Sequence, residues 1–517
     1  MDAKDFKSRL LKTDVQPREY QTNIALVASE KNTLCVLPTG MGKTLISVLV
    51  AAKRLDLYPS SKVLICSPTR PLSAQHKKSF EEFTNIGPEE IILLTGKIAP
   101  ADRIALYSKA KIIIATPQTI ENDLEAGRLS LENFSFVTLD EAHRSVKEYS
   151  YPFIAKKFML QSKHPLILGL TASPGASAEK IKEICDNLFI KAVEIRSEND
   201  EDVQQYVQDI QRESVYVELP EEFKKIKLLL GEVLKDDLYW LKEHHYTFTY
   251  TPTKKMLLDL QRRAIASYMH GSKGAYWAIV RCAGAVKVQH AVELLETQGV
   301  GFLYDYLKKL EASKKKTDVR IMKDPRLREA SNLAAELHAK GIEHPKLEKI
   351  MSLVKDLLKN NPAARIIIFA SFRSTVDRIN QLMKDDGIKS DILIGQAIKE
   401  GKGLTQEQQI ETLKRFADKK FNVLCGTQIS EEGISIPDVE FVIFYESVAS
   451  EIRAIQRRGR TGRTSAGKVI FLVTKDTTDE AYFFASLRKE KKMKSILYGM
   501  KGKELKRRKT TLVDWVR

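Results

Sequence analysis

The sequence predicts an α/β protein: two domains of parallel sheet with a mainly helical insertion between them. Three observations predict it. Short β-rich runs alternate with helical stretches through the first 200 residues. The same alternation returns after Pro362. Between the two, apolar residues recur every three or four positions over a long stretch. At about 150 residues per domain, 517 residues leave room for three or four domains.

In the first α/β region the strand runs are Thr33–Leu37, Lys62–Ser67, Lys111–Thr116, Phe136–Asp140 and Leu166–Leu170. In the second they are Arg365–Ala370, Asn422–Gly426, Val439–Tyr445 and Lys468–Thr474. The intervening segment reads as helices over Phe223–Lys242, Lys254–His270, Tyr276–Thr297 and Arg326–Lys340. Its strand-like runs are Ser214–Glu218 and Tyr246–Tyr250. It is too long and too apolar for an unstructured connection. Pro345 opens a further helix, Lys346–Lys359, into the second α/β region. The expected divisions are 1–205 and 346–487 for the α/β domains, 206–345 for the insertion and 488–517 for a basic tail.

Hydrophobic residues make up 43% and charged residues 29%, which excludes a disordered chain and a disulfide miniprotein. The net charge of +17 points to a polyanionic partner. The charge is concentrated. Residues 488–509 hold 11 Lys or Arg against 2 Asp or Glu, and residues 221–345 hold 22 against 16. The five cysteines, Cys35, Cys66, Cys185, Cys282 and Cys425, are scattered and form no CxxC pair. They read as small core residues of a protein kept in a reducing compartment. No zinc-ligand spacing, signal peptide or apolar run near the roughly 18 residues of a membrane span is present. The expectation is a soluble, cytoplasmic, nucleoid-associated protein.

Three motifs carry chemistry. The run Thr33–Leu37 leads into Pro38-Thr39-Gly40-Met41-Gly42-Lys43-Thr44 and then an apolar helix. Strand, Gly-rich loop, Lys-Thr and helix together form a phosphate cradle. Its glycines bring backbone N–H groups close, Lys43 reaches the β- and γ-phosphates, and Thr44 ligates Mg²⁺. The strict GxxxxGKT pattern wants Gly at position 37, where Leu37 stands. A chance Gly turn before a core helix is the plainer alternative. The run Phe136–Leu139 ends in Asp140-Glu141-Ala142-His143. There Asp140 can hold Mg²⁺ and Glu141 can activate a water. Alone, such carboxylates are commonly just solvated; paired with the loop, they become specific. The third motif is Gln456-Arg457-Arg458-Gly459-Arg460-Thr461-Gly462-Arg463. Arg460 and Arg463 suit fingers on transition-state charge, and a plain basic turn is the alternative.

With these motifs the chain resembles a superfamily 2 helicase across nearly its whole length. The resemblance implies two RecA-like domains that close on ATP. Arg18-Glu19-Tyr20-Gln21 looks like the adenine-reading Q motif. Ser67–Leu72, with Arg70, and Thr116-Pro117-Gln118-Thr119 look like strand-contacting motifs Ia and Ib. Thr171-Ala172-Ser173-Pro174 resembles motif III, residues 367–373, with Arg373, motif IV, and Thr427–Pro437 motif V. Within the superfamily, residues 442–446 and 450–456, with Gly169–Gly175 and His344-Pro345-Lys346, resemble Hef and FANCM-type helicases. That family implies ATP-driven 3′→5′ movement on DNA and a preference for forks and junctions.

The resemblance makes Lys43, Asp140, Glu141, Gln456, Arg460 and Arg463 catalytic. Nucleotide binding falls to Gln21, Thr39, Gly40, Met41, Gly42, Lys43 and Thr44, with Mg²⁺ on Thr44 and Asp140. Arg70, Thr116, Gln118, Arg373 and Thr427 would hold the nucleic-acid strand. Two departures stand out. Motif V places Ser435 where Asp is usual. Full-length Hef adds an XPF-like nuclease, but no ERKxxxD-type cluster appears, so no endonuclease activity is expected. An RNA-directed relative, as in the RIG-I and Dicer helicases, shares motor and insertion and stays open as a second reading.

Substrate choice is expected from the insertion. Lys308, Lys309, Lys314, Lys315, Lys316, Arg320, Lys323, Arg326 and Arg328 cluster there, near Tyr239, Trp240, Tyr276, Trp277, Tyr304 and Tyr306. The alternatives are core aromatics and a solvated lysine loop. Near the end, Thr511–Val516 resembles a sliding-clamp-binding peptide, with Lys509 where a Gln is usual. A loose basic tail is the alternative there.

Overall fold

The structure, a computed structural model, describes residues 7–206, 210–249, 253–395, 403–427, 439–446 and 467–505. Seven strands form the first sheet: β1 Thr33–Val36, β2 Lys62–Cys66, β3 Ile91–Leu94, β4 Ile112–Ala115, β5 Phe134–Asp140, β6 Ile167–Thr171 and β7 Ala192–Ile195. Six form the second: β8 Ile210–Val217, β9 Ile366–Phe369, β10 Ser390–Leu393, β11 Val423–Gly426, β12 Phe441–Phe444 and β13 Gly467–Thr474. Their spatial orders are β3-β4-β2-β5-β6-β1-β7 and β10-β11-β9-β12-β13-β8, and every pairing in both is parallel.

The inner strands are apolar on both faces because helices cover both. Leu34 and Val36 of β1 join one core and Cys35 joins the opposite one. Ile366 and Ile368 of β9 face one core of the second sheet, while Ile367 and Phe369 face the other. All five cysteines are buried and free, and burial pushes the Cys35 thiol up to about 12. Among the described residues no helix is long and apolar enough to cross a membrane.

Every strand run marked in the sequence for the two α/β domains is a strand. The sheet edges β3, β7, β8 and β10 were not among those runs. β8 overlaps Ser214–Glu218 but belongs to the second sheet, paired with β13 from Ile210↔Gly467 to Val217↔Thr474. The chain therefore crosses to the second sheet before it enters the helical segment. That segment runs through Glu221–Glu243, Lys254–Met269, Ala275–Thr297, Val300–Glu311, Lys316–Met322 and Pro325–Ala339. Tyr246–Tyr250 is not a strand among its described residues. There His245 takes a left-handed φ of 60° and the Tyr246 N–H returns to the Leu241 carbonyl at 2.9 Å, ending the helix.

Residues 488–500 belong to the helix Thr478–Met500. Charge counting hid its apolar positions Met493, Ile496, Leu497 and Met500, spaced as one helix face. That face packs into the first domain's core, and Tyr498 O–H donates to Asp200 and, at 3.0 Å, to Ser197. A helix that starts beside β13 thus ends against the other α/β domain.

A buried polar junction joins the helical segment to the second sheet. Lys346 Nζ donates to Asp479 Oδ2 at 2.6 Å and to the Tyr445 carbonyl at 2.8 Å, with both charged side chains fully buried. His344 Nε2 donates to the Glu296 carbonyl at 3.0 Å, and its Nδ1 accepts the Lys346 N–H at 3.2 Å. That pair of bonds needs a neutral ring. Burial, then the Lys346 charge, push its pKa down to about 3. Because the unfolded ring binds a proton near 6.5, its contribution is full above that pH and is lost as pH falls towards 3. His344→Asn should therefore flatten the slope of stability against pH between about 6.5 and 5 by about one proton, measured by denaturant unfolding. Lys346→Ala, which removes the cation buried with Asp479, should cost about 3–5 kcal/mol in the same assay.

Candidate functional site

Since all strands of a sheet point one way, their C-terminal ends share one edge, where ligands of open parallel sheets bind. Neighbouring β5, β6 and β1 bring the nucleotide motifs together there. After β1, Gly40 and Gly42 take φ of 91° and 70°, values that side chains with Cβ rarely adopt. A Cβ on Gly42 would lie 2.3 Å from Gln21 Nε2. The turn starts the helix Lys43–Leu57 at the sheet edge, with Thr39 and Thr44 half-buried beside its N-terminus and Met41 buried. This is an anion-binding arrangement of backbone N–H groups.

Lys43 Nζ donates to the Leu37 carbonyl at 3.0 Å and to Pro38 at 3.4 Å. Gln21 Nε2 reaches the Met41 and Gly42 carbonyls at 3.3 and 3.5 Å, and Tyr20 O–H donates to Met41 at 2.9 Å. The Gln21 side chain thus clasps the phosphate loop, while its Oε1 accepts the Arg18 N–H at 2.9 Å.

Asp140 is buried at the end of β5. Burial alone would raise its carboxyl. The hydrogen bond from His76 Nε2 at 2.9 Å, the His76 and Lys43 charges and the Glu141 N–H at 2.9 Å outweigh it and hold the group below its usual range. Glu141 holds a left-handed φ of 51°, a strained backbone of the kind found at functional sites. His143 Nδ1 lies 3.2 Å from both Glu141 Oε2 and Thr171 Oγ1. Thr171 Oγ1 in turn accepts the Ser173 N–H at 3.2 Å. One histidine thus touches both the carboxylate motif and the Thr-Ala-Ser-Pro motif.

Among the described residues no three of His, Cys, Asp or Glu gather into a metal cage. A single ionised carboxylate, beside Lys43 and a threonine at a helix N-terminus, fits a Mg²⁺ held in part by nucleotide phosphates. Asp140 and Thr44 are the residues that would hold it.

The strand-contact candidates sit at neighbouring strand ends. Exposed Arg70 follows β2, while Thr116 and exposed Gln118 follow β4, its partner in the sheet. Thr116 Oγ1 bonds Thr119 Oγ1 at 2.9 Å. In the second sheet Arg373 follows β9 and Thr427 follows β11, again partners. Arg373 donates to the Gly395 carbonyl at 3.1 Å, and Thr427 is buried. Gln456, Arg460, Arg463, Ser435 and Thr511–Val516 lie outside the described residues.

The basic cluster of the insertion divides in two. Arg320 grips Asp237 with two nitrogens at 2.9 and 2.6 Å, and Arg326 pairs with Asp324 and Asp236. These arginines hold helices together. Lys308, Lys309, Lys314, Lys315, Lys316, Lys323 and Arg328 are exposed. Among the aromatics, Tyr239 and Trp277 are over half exposed. Tyr304 and Tyr306 pack on the helical core, and Trp240 stacks on His244 at 3.9 Å.

Sequence reasoning missed His76, because a lone histidine six residues past Arg70 has no spacing signature. It missed the buried Ser47–Thr138 hydroxyl pair at 2.7 Å, which ties the phosphate-loop helix to β5, for the same reason.

The crystal structure of the Pyrococcus furiosus Hef helicase domain is similar, with TM-score 0.74 and 43% identity, over 92% of this chain and all of that one. This chain belongs to the Hef/FANCM-type superfamily 2 helicases. The family models agree: "DEAD/DEAH box helicase" matches residues 18–227 of this helicase, "Helicase conserved C-terminal domain" 346–465, and "Putative ATP-dependent RNA helicase, helical bundle" 222–341. It is thus a nucleic-acid-dependent ATPase. It is 45% identical over 94% of its length to a protein of Methanocaldococcus jannaschii named "Putative ATP-dependent RNA helicase", covering 61% of that protein. It is 30% identical over 89% of its length to the "ATP-dependent DNA helicase fml1" of Schizosaccharomyces pombe, covering 57%. The helicase spans about three-fifths of the length of these two relatives.

Lys43→Ala should lower ATP turnover at least about a hundredfold in a phosphate-release assay. His76→Ala should lower it about tenfold and raise the Mg²⁺ needed for half-maximal turnover, because Asp140 loses its orienting donor.

Proposed function

We propose that this helicase is an ATP-driven translocase that moves 3′→5′ on DNA and remodels forked or branched DNA in repair and at stalled forks. The observation that carries the reading is the placement of Arg70, Thr116, Arg373 and Thr427 at neighbouring strand ends of both sheets. A guanidinium or hydroxyl at a strand end suits phosphate oxygens, so binding would be salt-dependent and nearly indifferent to sequence. The named relatives add the nucleic acid: the fml1 protein is called a DNA helicase, as are several fungal mph1 proteins. Polarity and fork preference rest on the family resemblance, and a nucleoid location would follow from DNA binding.

In this reading ATP sits on the phosphate loop with Gln21 and Lys43 of the first domain, and the family resemblance assigns the remaining catalytic groups to Gln456, Arg460 and Arg463. Held by Thr44 and Asp140, Mg²⁺ would supply neutralising charge at the phosphates; Lys43 would hold the β- and γ-phosphates, and Glu141 would orient the attacking water. His143 lies 3.2 Å from both Glu141 and Thr171 and would offer a physical route from hydrolysis to domain movement. The exposed lysines at 308–316 would lie along a duplex arm.

RNA is the second reading, favoured by the names of the M. jannaschii relative and of the helical-bundle family. ATP turnover with single-stranded DNA, forked DNA, duplex DNA and duplex RNA at two salt concentrations separates the two. The expected order puts forked DNA first, with stimulation falling steeply as salt rises. Stimulation by RNA alone would overturn the DNA assignment and leave the motor chemistry standing.

A further inference from the structure

The turn that ends the helix Ala275–Thr297 is seated in the second α/β domain. Gly299 makes the turn, with φ of 101°, so close to His344 that a Cβ would lie 3.0 Å from the histidine Cβ. The turn carries Glu296 and Gln298 inward, and both are buried. Glu296 pairs with Lys227 at 2.7 Å and accepts from the Thr478 N–H and hydroxyl at 2.8 and 2.6 Å. That is an anchor at the start of the last helix.

Gln298 has a different set of partners. Its Nε2 donates to Glu446 Oε1 at 2.6 Å, and its Oε1 accepts the Thr375 hydroxyl at 2.6 Å. The other oxygen of Glu446 accepts the Ser371 N–H at 2.8 Å. Ser371 and Thr375 stand two residues either side of Arg373, and Glu446 stands ten residues before Gln456 in the chain. One amide therefore binds, with both ends, the first turn of the helix Arg373–Asp385 that follows β9 and the residue Glu446 that follows β12. Gln298, Thr375 and Glu446 are all more than nine-tenths buried. Such bonds are short of alternatives, since water does not replace them. A glutamine suits the place because it offers a donor to a carboxylate and an acceptor to a hydroxyl at once.

We propose that Gln298 is a positioning residue that couples the helical insertion to ATP hydrolysis, by holding the helix start at Arg373 and the Glu446 strand end in one arrangement. Nucleic acid that shifts the insertion would then move both sides of this amide together. The inference rests on the reading of Arg373 as a strand contact. It does not depend on whether the strand is DNA or RNA.

The test compares the full chain with Gln298→Ala and Thr375→Val, using whichever of the four nucleic acids above stimulates most. Saturated, stimulated kcat should fall about tenfold in Gln298→Ala and less in Thr375→Val. Half-saturating ATP and nucleic-acid concentrations should shift by less than about twofold. Hydrogen exchange of the amides of residues 371–376 should quicken, with the helix Glu221–Glu243 unchanged, which a general loss of stability would not produce. Stimulation that survives in Gln298→Ala, or that falls only as basal turnover and melting temperature fall, overturns the proposal. If exchange quickens but stimulation survives, the amide holds the helix start without coupling it, and the proposal also fails. Stimulation of the unaltered chain by RNA alone would instead sink the DNA reading, and the comparison of variants would proceed on RNA.

Discussion

Parallel pairing is the constraint on which the rest of this molecule depends. In a parallel sheet every strand delivers its following loop to the same edge. Four residues of β1, a handful of β5 and five of β6 therefore suffice to bring Lys43, Asp140 and Thr171 into one place from positions far apart in the chain. The same rule in the second sheet sets the segments that carry Arg373 and Thr427 at neighbouring strand ends. An antiparallel sheet of the same residues would scatter them over two edges.

Around that edge the electrostatics are built by contact more than by net charge. Asp140 is deeply buried, a position that would favour its neutral form, yet His76 and Lys43 keep it ionised. Tyr20, Gln21 and Lys43 donate to carbonyls of the Gly-rich loop and fix its shape. Many of the chain's basic residues lie elsewhere. In the insertion Arg320 and Arg326 are committed to carboxylates, and the exposed lysines near them remain as a surface for a polyanion.

Three segments distant in sequence tie the domains into a motor. β8 follows the first domain in the chain yet forms the edge of the second sheet, and the turn Glu296–Gly299 docks the insertion on that domain. The helix Thr478–Met500 leaves the second domain and buries Met493 and Leu497 in the first. The turn and the last helix make buried contacts, while β8 is bound along a sheet edge, so any movement between the domains would have to pass through them.

The inner strands, the long helices and the phosphate and carboxylate motifs were legible in the sequence, because each is a local pattern: a short apolar run, a three-to-four spacing, a glycine turn before Lys-Thr. The edges β3, β7 and β10 show no marked run, and β8 shows one only in its second half, placed with the insertion; β3 and β10 bury only their end residues, which weakens the local signal. The last helix was hidden by its charge, its apolar face showing only against the partner surface. His76 on Asp140, and Gln298 between Thr375 and Glu446, belong to no motif. Their partners lie 64 to 148 residues away, and only the folded chain brings them within hydrogen-bonding distance. Local motifs were thus decided by residue order, and the contacts between distant segments by tertiary packing, since a bond between distant residues leaves no periodic trace in either segment.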